Sequence, residues 1–330
     1  MSSPDVAVII VNYRTADMTI AAADSVLTRA ADGLNVEVHV VDNASPGNDR
    51  EVLVAASQRW ANAVTLHLED TNHGFGRGNN VVLRQLAARQ DAPAKVYLLN
   101  PDARLVTNAV AQMSAFLDAH PRAAMVGSAI LHDRSLEPAV CAFRFPGAIS
   151  EFVEAVNFGP LTRLFDRHLV GFPAELPLQQ VDWVSGASMM GRLEALAQVD
   201  FFDPDFFLYY EEVEMMHRLK SRGWEIWHLP EAKVAHVSGA STGVTGEENR
   251  RRPLPGYWYD SWRMYFEKSS GRSGARLTAA ARLAGTVIGD AIAHLRRKPS
   301  ETPGNFVRDF TRNVMSPLLG RADAGTGTAQ

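Results

Sequence analysis

The run Val6-Ala7-Val8-Ile9-Ile10-Val11 constrains the fold more than any other stretch of the chain. It is short, continuous and rich in β-branched residues, the pattern of a strand buried on both faces of a parallel sheet. Strands of similar character are expected at residues 36–41, 64–68, 96–99 and 124–131, with helices between them at about 16–30, 50–60, 79–89 and 108–119. Alternating strands and helices predict an α/β fold with a mostly parallel central sheet. In such sheets ligands sit beyond the carboxyl ends of the strands, where Asn12, Asp42 and Asp102 fall.

After His132 the rhythm breaks. Residues 146–177 mix Pro, Gly and aromatics without a period and read as an insertion lying over the site. Regularity returns from Val181 to about His236, and residues 238–255, rich in Gly, Ser and Thr and then in Glu and Arg, read as a mobile loop. Two helices are expected at about 257–270 and 274–298, followed by a tail expected to be disordered beyond Arg321.

Composition excludes several classes of function. At 330 residues and 46% hydrophobic the chain can bury a large core, and a net charge of −4 gives no general attraction to nucleic acid. Cys141 is the only cysteine, so no intramolecular disulfide forms and a reducing compartment is the simpler expectation. The N-terminus lacks the basic and apolar regions of a signal peptide, and no apolar span reaches transmembrane length. A cytoplasmic protein, soluble or peripheral on a membrane, is expected.

The densest cluster of chemistry is Phe206-Phe207-Leu208-Tyr209-Tyr210-Glu211-Glu212-Val213-Glu214, three carboxylates in four residues behind an aromatic wall. Apolar surroundings and like-charged neighbours raise carboxylate pKa values, as a general base requires. A plain helix start is the alternative, since acids favour the positive end of a helix and Met215, Met216 and Leu219 continue with helical spacing toward Gly223. Asp42-Asn43-Ala44-Ser45 offers groups for a base or ribose, or an Asx turn. Asn72-His73-Gly74-Phe75-Gly76-Arg77-Gly78-Asn79-Asn80 opens a helix and admits either close approach to a phosphate or a structural turn. Its glycines do not match the dinucleotide fingerprint. Asn100-Pro101-Asp102 supplies one carboxylate for a divalent ion or a cap. His236 ends a strand-like segment as a metal ligand, a phosphate donor or a buried histidine.

In order, these pieces, with Asn12-Tyr13 before them and Gly186-Ala187 and Phe202-Asp203 between, resemble the family-2 inverting glycosyltransferases, the rhamnosyltransferase-like branch above all. The resemblance spans about residues 6–268. It implies a GT-A fold with a Rossmann-like nucleotide-sugar-binding domain, and a catalytic domain over residues 1–255: a nucleotide-sugar-binding half to about 131, an acceptor half over 132–255, then a helical extension over 256–330. Asn12, Tyr13, Asp42 and Asn43 would bind the nucleoside, while Gly74, Phe75, Gly78, Asn79 and Asn100 would shape the donor pocket. Asp102 matches the last acid of the metal motif often written Asp-x-Asp, with Asn100 in the first place, so Mg2+ or Mn2+ would be held by Asp102, His236, diphosphate and water. Glu212 aligns with the catalytic base, usually the Asp of a Glu-Asp pair, with Glu211 beside it as the other choice. Trp183, Ser185, Gly186 and Asp203 match the acceptor segment, although Asp200 and Pro204 stand where Gly and Glu are common.

The donor the resemblance favours is dTDP-L-rhamnose, or else a UDP-sugar. The expected acceptor is a saccharide hydroxyl, free or on a polyprenyl diphosphate, in bacterial cell-surface polysaccharide assembly. Residues 250–298 are rich in basic side chains, and Leu277, Ala281, Ala284, Ile288, Ala291, Ile292 and Leu295 share one helix face. That face either lies on an anionic bilayer at the inner side of the plasma membrane, or packs on the catalytic domain or a second subunit as a homodimer. A non-catalytic nucleotide-sugar-binding or scaffold protein of a polysaccharide complex is the competing reading, motivated by the single metal carboxylate. A dinucleotide-dependent oxidoreductase stands third.

Overall fold

The computed structural model describes residues 3–29, 33–60, 63–237 and 252–320. The expected loop at 238–255 lies outside these as far as Arg251, and so does the tail from Arg321. In chain order the elements are β1 (Val6–Asn12), α1 (Ala16–Arg29), β2 (Val36–Asp42), α2 (Asp49–Trp60), β3 (Val64–Leu68), α3 (Gly74–Ala87), β4 (Lys95–Leu99), β5 (Ala103–Leu105), α4 (Ala109–Ala119), β6 (Ala123–His132), β7 (Ala142–Phe143), α5 (Ala148–Val156), α6 (Gly159–Leu164), β8 (Gln179–Val181), β9 (Trp183–Val184), β10 (Ser188–Arg192), α7 (Leu193–Gln198), α8 (Glu211–Ser221), β11 (Glu225–His236), α9 (Gly256–Leu295), α10 (Phe306–Phe310) and α11 (Ser316–Leu319). The chain divides into two compact units, Met1–Phe145 with Val170–Thr245 and Pro146–Leu169 with Gly246–Gln330.

In the first unit one sheet runs β3-β2-β1-β4-β10-β6-β11-β5, with β8 also pairing β11. The β3-β2-β1-β4 half is parallel, while β10 runs antiparallel between β4 and β6. Every residue of β1 is buried. Val6, Val8 and Ile10 join the core beneath α1 and α4, whereas Ala7, Ile9 and Val11 join the core that includes residues of α3, α7 and α8. Burial on both faces is what the uninterrupted apolar run encodes, at about 2 kcal/mol for each Val or Ile side chain. Because β1 lies between β2 and β4, the ends of all three open on one edge, and Asn12, Asp42 and Asn100 meet there.

Helix α3 begins at Gly74, five residues earlier than the periodicity predicts. Its glycines suppress the helical signal because Gly is a poor helix former. Here tertiary packing overrides propensity. In the second unit, Gly271 (φ 69°) interrupts α9 and divides it close to where the sequence predicts two helices. Residues 146–169, expected without period, hold α5 and α6. Helix α5 packs on α9 so closely that a Cβ on Gly285 or Gly289 would lie 2.5 Å from Phe152 O or 2.7 Å from Ala155 O. Its inward face carries buried Glu151, which accepts from Trp262 Nε1 and Arg282 Nη1, each at 3.1 Å. A charge on the buried face of a two-and-a-half-turn helix hides its apolar pattern.

Candidate active site

The sheet edge is built first by two asparagines. Asn12, fully buried, donates through Nδ2 to Asp42 Oδ1 and Ser45 Oγ, both at 3.0 Å, and accepts through Oδ1 from Thr15 (3.2 Å) and Thr19 (2.8 Å). Its amide is saturated by the protein, so it ties the ends of β1 and β2 to the start of α1. Asn43 does the same one step further: Nδ2 donates to Asn72 Oδ1 (3.1 Å) and Gly74 O (2.9 Å), and Oδ1 accepts from His73 N (3.0 Å). Asp42 is buried with one oxygen held by Asn12, and Tyr13 is half-buried beside them.

The glycine-rich run has its spaces filled by protein. Gly74 has φ 76°, and a Cβ there would lie 1.8 Å from Phe207 O, which accepts from Phe75 N at 3.2 Å. A Cβ on Gly76 would lie 2.9 Å from Phe202 Cβ, and one on Gly78 3.0 Å from Val11 Cγ1. Only glycine permits these approaches. Asn80 secures the contact by donating to Phe202 O (2.8 Å) and accepting from Phe202 N (3.1 Å), while Asn79 donates to Phe75 O (3.0 Å) inside α3. The run is thus a platform on which residues 201–207 dock.

The acids follow that docked segment. Tyr209 (φ 72°) and Tyr210 (φ 68°) are both left-handed, a conformation that costs aromatic residues about 1–2 kcal/mol each. They turn the chain into α8, whose first residue is Glu211. The three carboxylates have three different surroundings. Glu214 is buried in a two-pronged ion pair with Arg218, with Nε–Oε1 and Nη2–Oε2 both 2.6 Å, and Arg218 also donates to Val199 O and to Phe201 O (2.9 Å). Glu211 is buried, and among the described residues neither its Oε2 nor the Oε2 of Glu212 has a hydrogen-bond partner. Glu212 is half-buried, and its Oε1 lies 3.8 Å from where a Gly186 side chain would begin, a point 3.5 Å from Cε1 and Cζ of Phe75. Burial pushes the Glu211 carboxyl well above its ordinary value, and the charge of Glu212 adds to this; burial also raises Glu212. The positive end of α8 opposes part of both shifts.

Asn100, Asp102 and His236 converge where β5 pairs with the end of β11. Asp102 Oδ1 lies 3.0 Å from His236 Nε2, which is 3.4 Å from Asn100 Nδ2, and Val237 N donates to Asp102 O at 3.1 Å. Among the described residues no group of three or more His, Cys, Asp or Glu side chains is disposed to hold a metal. One carboxylate and one imidazole still fit a divalent ion of the magnesium or manganese kind, which keeps several waters and takes phosphate oxygens for its other positions.

Asn100 N donates to Ala187 O at 2.9 Å, joining the end of β4 to the turn that bears Gly186. Trp183 stacks on Phe143 (3.9 Å between centroids) and donates to Arg144 O at 3.0 Å. Ser185 Oγ accepts from Ala187 N at 3.3 Å, and Asp203 Oδ1 caps a turn by accepting from Asp205 N at 2.9 Å. Gly186 is therefore beside Glu212, while Trp183, Ser185 and Asp203 each hold local structure. Sequence reading places Asn80 and Phe207 in the glycine-rich and aromatic runs without their contacts, and it misses Arg218, whose one signal is its spacing of four from Glu214.

The sequence pattern of Glycosyl transferase family 2 matches residues 7–142. The chain is 31% identical over 223 residues to the N-acetylglucosaminyl-diphospho-decaprenol L-rhamnosyltransferase of Mycobacterium tuberculosis, covering 63% of this chain and 68% of that protein. In structure it is similar to the mannosyltransferase PcManGT of Pyrobaculum calidifontis, solved with GDP-Man and Mn2+ (TM-score 0.54, 16% identity, 90% of this chain and 80% of that one). It is also similar to GalNAc-T7 solved with UDP, GalNAc and Mn2+ (TM-score 0.58, 11% identity, 97% and 58%). With this sheet order, a GT-A fold and a rhamnosyltransferase-like sequence, the chain belongs to glycosyltransferase family 2.

Proposed function

We propose that the first unit transfers a sugar, L-rhamnose from dTDP-L-rhamnose, to a hydroxyl of a lipid-linked saccharide diphosphate, with inversion at the anomeric carbon. The observation that carries this reading is Glu212 Oε1, a carboxylate of raised pKa beside Gly186 and Phe75. The acceptor hydroxyl attacks the anomeric carbon while its proton passes to Glu212. The bond from that carbon to the donor's diphosphate oxygen breaks, and the nucleoside diphosphate leaves with the electron pair. Glu211, adjacent and buried, stays protonated more readily and so leaves Glu212 the better placed acceptor of a proton. Asp42 and Tyr13 meet the nucleoside from a frame fixed by Asn12 and Asn43, and the face of Phe75 offers an apolar wall to a sugar ring.

Asp102 and His236, with Asn100, would hold Mg2+ or Mn2+, which when bound neutralises charge on the departing diphosphate. The names of the mycobacterial relative and of the metal-bearing neighbours support the lipid-linked acceptor and the ion. A nucleotide-sugar pool implies the cytoplasmic side of the membrane. The lone carboxylate favours one rival, a binding protein without turnover; transfer by the pure protein that chelator abolishes excludes it.

The experiment is a thermal-shift screen of dTDP-, UDP- and GDP-sugars with and without Mn2+, followed by transfer assays with the stabilising donor. dTDP-rhamnose with Mn2+ is expected to raise Tm most; stabilisation by no nucleotide sugar, together with no transfer, ends the proposal. Asp102→Ala is expected to weaken donor binding in Mn2+ by about tenfold, or 1.4 kcal/mol, and to change it little in chelator. Equal affinity of variant and parent in Mn2+ would remove Asp102 from the ion.

A further inference from the structure

We propose that the exposed face of α9 beyond Gly271 rests on a bilayer surface carrying anionic headgroups. On this half of the helix Ala275, Thr278, Ala279, Gly285 and Thr286 are buried, the last two on the side toward α5. The other side presents Leu277 (65% exposed), Val287 (56%), Ile288 (43%) and Leu295 (81%), with exposed Ala280, Ala284 and Ala291 between them. Steps of three and four residues set these on one stripe. From Leu277 to Lys298 no exposed residue is acidic, because Asp290 is turned inward and accepts from Ser300 and Thr302, both at 2.6 Å. The stripe ends in Arg296, Arg297 and Lys298, all exposed. Arg296 lies over the ring of Phe158 (5.6 Å), which precedes α6 and its Leu164, 75% exposed. Among the described residues the large apolar side chains more than half exposed are Leu164, Leu277, Val287, Leu295 and Leu319. All belong to the second unit, so this exposure is a property of that unit and not of the chain at large.

Charge and size choose the occupant. A stripe of nineteen residues is about 28 Å long and about 10 Å wide. It would bury only a few hundred Å2 against a second copy, where a stable partner contributes about 800 Å2. A bilayer asks only that the apolar face enter the headgroup boundary, and each cation beside anionic lipid strengthens binding about fivefold. Among the described residues no helix is long and apolar enough to cross a membrane, which leaves a helix lying in the surface plane. The proposal does not depend on the transfer reaction, since vesicle binding is read without donor or metal.

The test is co-sedimentation of the full chain with vesicles of phosphatidylcholine containing about 30% phosphatidylglycerol, beside vesicles of phosphatidylcholine alone. Binding about tenfold or more tighter to the anionic vesicles, weakened by about 0.5 M NaCl, is expected. Val287→Glu with Ile288→Glu should abolish it with Tm unchanged, since both side chains face solvent. Arg297→Glu with Lys298→Glu should remove the anionic preference. Absence of vesicle binding, or binding that the Val287 and Ile288 changes leave intact, overturns the proposal. So does a dimer in sedimentation velocity that those changes dissolve in a protein that ignores vesicles.

Discussion

Glu212→Gln is expected to lower kcat about 10²–10⁴-fold while leaving nucleotide binding within a factor of about two, because a positioned general base contributes that much to the rate and little to ground-state affinity. The same variant should be more stable than the parent at neutral pH. Burial raises the folded-state pKa of Glu212 above its unfolded value. A carboxyl shifted in that direction contributes stability below the unfolded pKa and loses it as pH rises through the folded one. Gln keeps the uncharged shape, so the variant's advantage should open as pH rises through that window and vanish below about pH 4. Glu211→Gln separates the two glutamates: its carboxyl is raised further, so its gain in Tm at neutral pH should be the larger and its loss of kcat the smaller. The acid limb of the parent's pH–rate profile should lie above the ordinary carboxylate range. Single-turnover rates and melting curves from pH 4 to 8 check these expectations. A Glu212→Gln enzyme that turns over at the parental rate refutes the assignment, and loss of turnover in Glu211→Gln alone reverses it.

Gly74→Ala should damage the enzyme nearly as much without touching a reacting group. The left-handed backbone at φ 76° penalises any Cβ by about 1–2 kcal/mol, and this one would meet Phe207 O at 1.8 Å. A carbonyl oxygen held by Phe75 N cannot rotate aside as a flexible side chain would. The docked segment must shift, and the start of α8 with it. Displacing a catalytic group by about 1 Å costs about 10² in rate, and Tm should fall by about 4–8 °C for about 2 kcal/mol. Gly47→Ala is the control: φ there is 91° with no atom within 4 Å of the added Cβ, so it carries the backbone penalty alone. It should lower Tm modestly and leave kcat unchanged. If the two variants have the same kcat, the contact with Phe207 does not position the acids.

The parallel half of the sheet was legible because burial on both faces leaves a continuous apolar run, β-branched in β1 and Val96-Tyr97-Leu98-Leu99 in β4. The strand ends were legible for the same reason: the polar residue after such a run is where the sheet stops. What those polar residues do was not. Asn12 and Asn43 look like ligand-binding amides in sequence, yet their amide nitrogens donate to groups that arrive from 29 to 33 positions away, while the Asn12 oxygen is taken by Thr15 and Thr19 nearby. Pairings of that kind depend on sheet order, and no local pattern encodes them. The neighbours Glu211 and Glu212 share one composition and one helix start, and only the phase of α8, about 100° per residue, sends one into the core and the other toward Gly186. Helix α5 is hidden in the sequence because Glu151 interrupts its buried face, and the start of α3 because its glycines are poor helix formers.

The saturated asparagines and the filled glycines divide the site into a part that tolerates sequence drift and a part that does not. Asn43 holds Gly74 O, Gly74 lies against Phe207, and two left-handed tyrosines later comes Glu212, so the end of β2 and the acids form one mechanical body. Any residue in that series can change only if several change together. Tyr13 and the rim beside Gly186 carry no such obligation. Descendants of this fold that acquire new sugars should differ first at that rim, while the asparagine and glycine frame passes through lineages almost unaltered.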